Sequence, residues 1–248
     1  MQQIESFESL VTHLEEADGS FAKSSLEAYF FMHAYTGSSF ETFCGNDPDN
    51  FTAEDIVAVS MLSVNIPPSA SRWILGDGKK PLNLLLQEID GKLSIDSSKA
   101  DLSRCSTAWN LWKSIDLLWG VGPTKNSKLL AAKRPFLFPI YDQHVAKALQ
   151  LSPDDYWQPW QEFMWSENGH KATKIVKQMA ESLDKPNLSP LRLFDIVIWM
   201  QQHGHTFITK KLVDDGKMIC VNYADPTKAG TVQGTVRSKT AFRVPNTY

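Results

Sequence analysis

The stretch LWGVGPTKNSKLLAAKRPFLFPIYDQHVAKAL, Leu118–Leu149, decides how the chain is read. It opens with Gly120-Val121-Gly122 at the end of one helix-like segment, and Pro123 follows at a position suited to the first turn of the next. That second helix is expected to run to about Lys133. Helix, two-glycine turn, helix is a helix-hairpin-helix pattern. Its unpaired amides and the positive end of the second helix suit a phosphate. Gly120, Val121, Gly122, Thr124, Lys125 and Lys128 are the candidate phosphate-binding residues, with Lys133 and Arg134 behind them. No acid interrupts the sequence between Asp116 and Asp142. A Gly-x-Gly triplet taken alone serves equally as a plain turn between packed helices.

Outward from the hairpin, the pattern is helical. Trp109, Trp112, Ile115 and Trp119 mark one face of a helix over about 106–118. Further helices are expected at 24–35, 154–165, 170–183 and 189–202, and Thr52 with Asp55 forms a capping box ahead of IVAVSML. The tryptophans at helical spacing read as core. After about residue 204 the character changes: HTFITKKLVDDGKMICVNY (205–223) holds two β-prone runs around an Asp-Gly turn. The expected architecture is therefore a mostly α domain over 1–204 with a small β appendage over 205–248.

Composition narrows the function classes. The chain has 248 residues, 42% hydrophobic and 21% charged, which are globular values. No apolar run approaches the roughly 20 residues of a membrane span, and no basic-then-apolar leader precedes the first helix. Three scattered cysteines form neither a disulfide framework nor a metal motif, so a cytoplasmic protein without metal or organic cofactor is expected. The DPDNFTAED segment (47–55) lacks the glycine and glutamate of a calcium loop and reads as a solvated acidic loop. His203 and His205 have no evident third ligand. The net charge of −3 is unevenly spread: 8 Lys/Arg against 17 Asp/Glu up to residue 119, and 17 against 11 beyond it. Such a split permits one basic face on an acidic molecule.

The hairpin, the apolar segment after it, and Asp142-x-His144-Val145-x-Lys147 together resemble the helix-hairpin-helix–GPD superfamily of DNA glycosylases, of which endonuclease III is a member. The resemblance covers chiefly residues 105–150. GVG, KLLAAKRP, PIYD and the late LRLFDIVIWM also resemble a bacterial family without an assigned activity, over most of residues 50–202. The glycosylase resemblance implies a helical fold of that kind. It also implies Asp142 as the carboxylate that stabilises a sugar cation or activates water, with His144 and Lys147 in support. The partner implied is a DNA duplex carrying a modified base, with the base extruded for chemistry. Tyr141 and Trp119 are candidates for the base pocket, though Tyr141 equally suits packing, and Asp142 equally suits a helix N-cap.

Departures from the family shape the expectation. The position of the Schiff-base lysine of two-step enzymes is occupied by Thr124, and Lys125 lies one residue, about 100°, round the helix. A one-step, hydrolytic glycosylase is therefore expected. Only Cys220 lies downstream of the hairpin, so no iron–sulfur cluster is expected. The competing expectation is a nucleic-acid-binding module on the same scaffold without the chemistry.

Overall fold

The computed structural model describes residues 3–32 and 35–203, and within them every regular element is helical. The expected β appendage over 205–248 lies outside the described residues. Twelve α-helices are present among the described residues: α1 Phe7–Glu15, α2 Ser20–Phe31, α3 Phe40–Phe43, α4 Ala53–Met61, α5 Pro68–Leu75, α6 Lys79–Gln87, α7 Thr107–Asp116, α8 Pro123–Lys133, α9 Gln143–Ala148, α10 Trp157–Trp165, α11 Glu167–Ser182 and α12 Pro190–Gln202. None of these helices is long and apolar enough to cross a membrane.

The architecture is organised around α12. Its sequence PLRLFDIVIWM is apolar on all sides, which suits a helix surrounded by others. Ser189 caps it by accepting the Arg192 N–H at 3.2 Å, and Pro190 fills the first position, where no donor is needed. The helix packs against α2, α9 and α11, and every residue from Pro190 to Ile198 is buried. On one flank Trp160 of α10 stacks on Phe194 and meets Phe7 edge-on at 5.0 Å. Trp157 fills the space between Trp109, Trp112 and Phe138. The tryptophans of α7 and α10 thus join the hairpin's first helix to the core.

Charged groups also hold the interior. Lys133, at the end of α8, lies 2.5 Å from Asp55 with both side chains sealed from solvent, and its ammonium also donates to the Asp47 carbonyl at 2.8 Å. Asp55 is further held by the N–H groups of Thr52 (2.8 Å) and Gly45 (3.0 Å). Arg134 donates to the carbonyls of Ile89, Pro48 and Leu86 and to the Asp49 carboxylate. Two expectations change accordingly. Lys133 and Arg134 do not reinforce a phosphate-binding face; they clamp the 47–55 segment and the end of α6 onto α8. The 47–55 segment is not wholly solvated either, because Asp55 is buried beneath it.

Removing one member of a buried pair leaves the other charged and unmatched, which costs about 3–5 kcal/mol. Lys133→Met is expected to lose stability of that order in urea titration, and adding Asp55→Asn is expected to recover part of the loss. Additive losses in the double variant would show that the two side chains do not act as a pair.

Candidate functional site

The hairpin forms because α7 ends at Asp116 and Gly120 turns the chain with φ +75°. A side chain would be strained at that φ, and a Cβ there would lie 2.9 Å from Pro67 Cγ. Gly122 differs. Its φ is −91°, and a Cβ on it would meet nothing within 4 Å. The Val121 side chain is buried while its N–H returns to the Leu118 carbonyl at 3.0 Å, which pins the turn to the core.

The amide inventory of the hairpin is partly used internally. Lys125 and Asn126 N–H both donate to the Gly122 carbonyl at 3.0 Å. The amides of Gly120, Gly122 and Thr124 have no backbone acceptor among the described residues. Lys125 folds its ammonium onto the Gly120 carbonyl at 2.7 Å and stays near the tip of the turn. Trp119 is 85% exposed and Leu117 83% exposed, so the outer edge of the hairpin is apolar.

Lys128 lies elsewhere. Three residues along α8 from Lys125 it points inward, buried, with its ammonium 3.1 Å from the Leu62 carbonyl and 3.5 Å from Asp142 Oδ2. Burial lowers its pKa, against the opposing pull of Asp142 and Asp195. It thus contacts the Asp142 carboxylate directly instead of sitting on the hairpin surface.

Asp142 is the N-cap of α9, and its Oδ1 accepts the His144 N–H at 3.0 Å. Its side chain retains 17% exposure, so the carboxylate reaches solvent from a largely enclosed position. Tyr141 alongside it packs edge-on against Tyr156 at 4.9 Å, and its N–H donates to Ser127 Oγ of α8 at 2.9 Å. Tyr156 in turn donates its hydroxyl to the Ile140 carbonyl at 2.6 Å. The hydroxyl of Ser127 and the ammonium of Lys128 therefore tie α8 to the segment that presents the acid. His144 is exposed with its ring 4.1 Å from that of His203, and Lys147 is exposed in the last turn of α9. Trp119 stands at the hairpin and Tyr141 beside the acid, so the two candidate pocket aromatics occupy different parts of the region.

Several residues of this region carry no hairpin signal. His203 stacks on Trp199 at 4.0 Å, Trp199 meets Tyr35 edge-on at 5.8 Å, and Tyr35 stacks on Tyr29 at 5.4 Å. Burial holds His203 below the ordinary histidine range; the neighbouring His144 adds to this, while the Trp199 carbonyl and Asp142 oppose it. Beneath the aromatic row, Arg192 donates from Nε to Glu41 (2.7 Å), from Nη1 to Asp195 (2.6 Å), and from Nη2 to the Tyr29 hydroxyl (2.7 Å) and the Gly37 carbonyl (3.0 Å). The other oxygen of Asp195, Oδ1, is buried without a hydrogen-bond partner. Burial raises the Asp195 carboxyl to about 6, with Asp142 adding to the rise and Arg192 and Lys128 opposing it. A sequence signal for this pair existed: Arg192 and Asp195 stand three apart inside an otherwise apolar run, where charges need each other.

On the far side of Arg192 a cavity of about 200 Å³ is lined by Phe40, Glu41, Cys44, Ala131, Leu188 and Arg192, among others. Burial, reinforced by Glu41 and Asp55, pushes the Cys44 thiol up to about 12, so it is not a nucleophile at neutral pH. Asp142 does not line this cavity.

A family of unknown function, DUF6308, matches residues 22–202, which span α2 to α12, the hairpin and the whole charged cluster. The chain belongs to that family. No curated protein and no solved structure matches the chain.

Two substitutions separate the roles of the glycines. Gly120→Ala is expected to lower stability by about 1–2 kcal/mol, from its left-handed backbone, with a further penalty at Pro67. Gly122→Ala is expected to melt within about 0.5 kcal/mol of the wild type. Equal losses in a denaturant titration would contradict this division.

Proposed function

We propose that this protein is a one-step DNA glycosylase of the helix-hairpin-helix kind, hydrolysing the bond between deoxyribose and a modified base. The observation that carries the reading is the setting of Asp142. Its carboxylate sits at the start of α9, partly open to solvent, against a buried ammonium supplied by the second helix of the hairpin. A group that grips a phosphate and a group that faces the adjoining sugar would thereby belong to one rigid unit.

The chemistry follows from charge. As the C1′–N bond breaks, its electron pair leaves with the base and the sugar ring becomes cationic. A carboxylate fixed in place beside the Lys128 ammonium stabilises that cation. Water then adds to C1′ and gives up a proton, for which the carboxylate is the nearest acceptor. The departing base is protonated from solvent or from a nearby acid. The amides of Gly120, Gly122 and Thr124, which lack acceptors among the described residues, are with Lys125 suited to a backbone phosphate, and the exposed Trp119 offers a stacking face at the edge of the hairpin. The overall charge of −3 confines nucleic-acid contact to such a local face.

One observation favours the non-catalytic module. Both oxygens of Asp142 already have partners, His144 N–H and Lys128, which suffices for a purely capping role.

The test uses duplexes carrying a panel of modified bases, followed by alkali to reveal abasic sites. Wild type is expected to release at least one base, and Asp142→Asn to lose about a hundredfold to ten-thousandfold in rate. Gly122→Ala, folded like wild type, is expected to bind the duplex about tenfold more weakly, as the phosphate's hydrogen bonds are disturbed. Lys125→Glu is expected to flatten the dependence of affinity on salt. Salt-sensitive binding that Asp142→Asn leaves intact, with no base released by wild type, would establish the module instead. Absence of DNA binding would end both readings.

A further inference from the structure

The cavity of about 200 Å³ beside Arg192 takes no part in the site around Asp142. Its walls come from three places in the chain. Phe40 stands on α3, Ala131 on α8 with Phe138 and Ile140 on the segment after it, and Leu188 and Leu191 around the start of α12. All six are apolar. Size sets what such a chamber can take. An apolar cavity of about 150 Å³ holds one benzene molecule. This one therefore has room for a ring of that size with a short arm. The lining residues Asn187 and Glu41 reach solvent, so a ligand has a way in.

The charged part of the lining is Glu41 with Arg192. Arg192 is the one cation among the lining residues. It contacts two carboxylates, Glu41 at 2.7 Å and Asp195 at 2.6 Å, so one negative charge of this cluster is left unbalanced. Four of the five guanidinium N–H groups are committed: Nε to Glu41, one on Nη1 to Asp195, and both on Nη2 to Tyr29 and Gly37. An anionic ligand would meet an occupied guanidinium and a surplus of carboxylate. Glu41 is the reverse case. Its Oε1 meets Arg192, while Oε2 accepts no hydrogen bond among the described residues. Its side chain is 32% exposed, against 9% for Asp195, so the unbalanced charge is presented at Glu41, on the cavity wall. The thiol on that wall agrees: burial, with Glu41 and Asp55 adding to it, pushes Cys44 up to about 12.

We infer that this cavity binds a small organic cation: an aromatic ring held by the apolar walls, on a short arm whose ammonium donates to Glu41 Oε2. The walls favour the ring by removing its surface from water. The carboxylate favours the ammonium, and beside an apolar chamber that attraction is stronger than in open water. A neutral ligand of the same shape gains the first term without the second, and an acid is repelled. The inference does not rest on the glycosylase reading, since Asp142 is not among the lining residues.

Three probes of nearly one shape separate the alternatives: benzylamine, benzyl alcohol and benzoate. Each is titrated at neutral pH into protein carrying 13C-labelled isoleucine and leucine methyls, and binding is read from the resonances of Ile140, Leu188 and Leu191. Benzylamine is expected to shift all three, with a Kd on the order of 1 mM, as suits a ligand of so few atoms. Benzyl alcohol is expected to bind at least about tenfold more weakly, and benzoate not to bind. Equal affinity for the amine and the alcohol, tighter binding of benzoate, or no shift of these methyls with benzylamine overturns the inference.

Two variants locate the contact. Glu41→Gln keeps an oxygen for Arg192 Nε and removes the charge. It is expected to bring benzylamine down to the affinity of benzyl alcohol, a loss of about tenfold, with the alcohol unchanged. Ala132, half-buried on α8, also lines the cavity. Ala132→Leu leaves every charge in place and fills part of the space, so it is expected to weaken benzylamine and benzyl alcohol alike by at least about tenfold. Urea titration checks the fold of both. Should Glu41→Gln unfold, Ala132→Leu decides whether the cavity is the place of binding, and the three probes decide the charge. A preference for the amine that survives in folded Glu41→Gln, or undiminished binding in Ala132→Leu, overturns the inference. Base release enters none of these measurements, so the result stands whichever way the DNA assays fall.

Discussion

An arginine can occupy the first turn of a buried helix only if its donors find oxygens, and the arrangement around α12 follows from that requirement. Arg192 meets it by drawing in four different parts of the chain: the Glu41 carboxylate on α3, Asp195 one turn along its own helix, the Tyr29 hydroxyl on α2 and the Gly37 carbonyl in the turn before α3. The fit is close. A Cβ at Gly37 would collide with the Tyr29 hydroxyl, so the carbonyl reaches Arg192 only because that position is glycine. Desolvating a guanidinium costs several kcal/mol, and only a full set of partners offsets it. The same contacts fix α2, α3 and α12 in one relation, and the aromatic row of Tyr29, Tyr35, Trp199 and His203 is assembled on that base.

The second helix of the hairpin carries a buried charge of its own. Asp195 satisfies Arg192 through one oxygen and is left with the other unpartnered; Lys128, buried on α8, contacts Asp142. A surface acid at the start of a short helix is thereby coupled to the interior. Helix N-caps are ordinarily local devices, sensitive to the first turn of their own helix. Asp142 caps α9 in that ordinary way with Oδ1, but Oδ2 faces the buried Lys128 ammonium, which also donates to the Leu62 carbonyl. Capping and electrostatic coupling use different oxygens of one carboxylate, so neither role excludes the other.

How much of this was legible in the sequence depends on what kind of force placed each residue. Helices α7, α8, α10, α11 and α12 fall close to where periodicity, prolines and the Gly-Val-Gly turn put them, because those signals are local. The capping pair Thr52 and Asp55 is local too, and Asp55 does accept the Thr52 N–H. The positions of the cations were not legible. Lys125, Lys128, Lys133 and Arg134 look alike in sequence, yet Lys125 stays at the turn while the other three are buried on partners 14 to 86 residues away. Nothing in a run of lysines distinguishes a solvated ammonium from one paired across the fold. The helix PTKNSKLLAAK is also only weakly amphipathic, so its inward face could not be assigned from its pattern. Arg192 and Asp195 were the legible exception, since opposite charges three apart inside LRLFDIVIWM can be buried cheaply only against each other.

The two glycines of the hairpin carry the same lesson in the other direction. Gly120 is accounted for from within: its φ of +75° and the contact with Pro67 demand a residue without a side chain. Gly122 has neither reason. Its backbone is in a region open to any residue, and no atom of the described residues lies within 4 Å of where a side chain would start. A glycine in that situation sacrifices conformational entropy on folding without an internal return. What it does provide, among the described residues, is an uncovered approach to the start of α8, where the amides of Gly122 and Thr124 lack acceptors and the helix dipole is positive. Packing accounts for Gly120, whereas no contact among the described residues calls for a glycine at 122. The hairpin is thus anchored through its first glycine and left accessible at its second, on the same helix that carries Lys128 to Asp142.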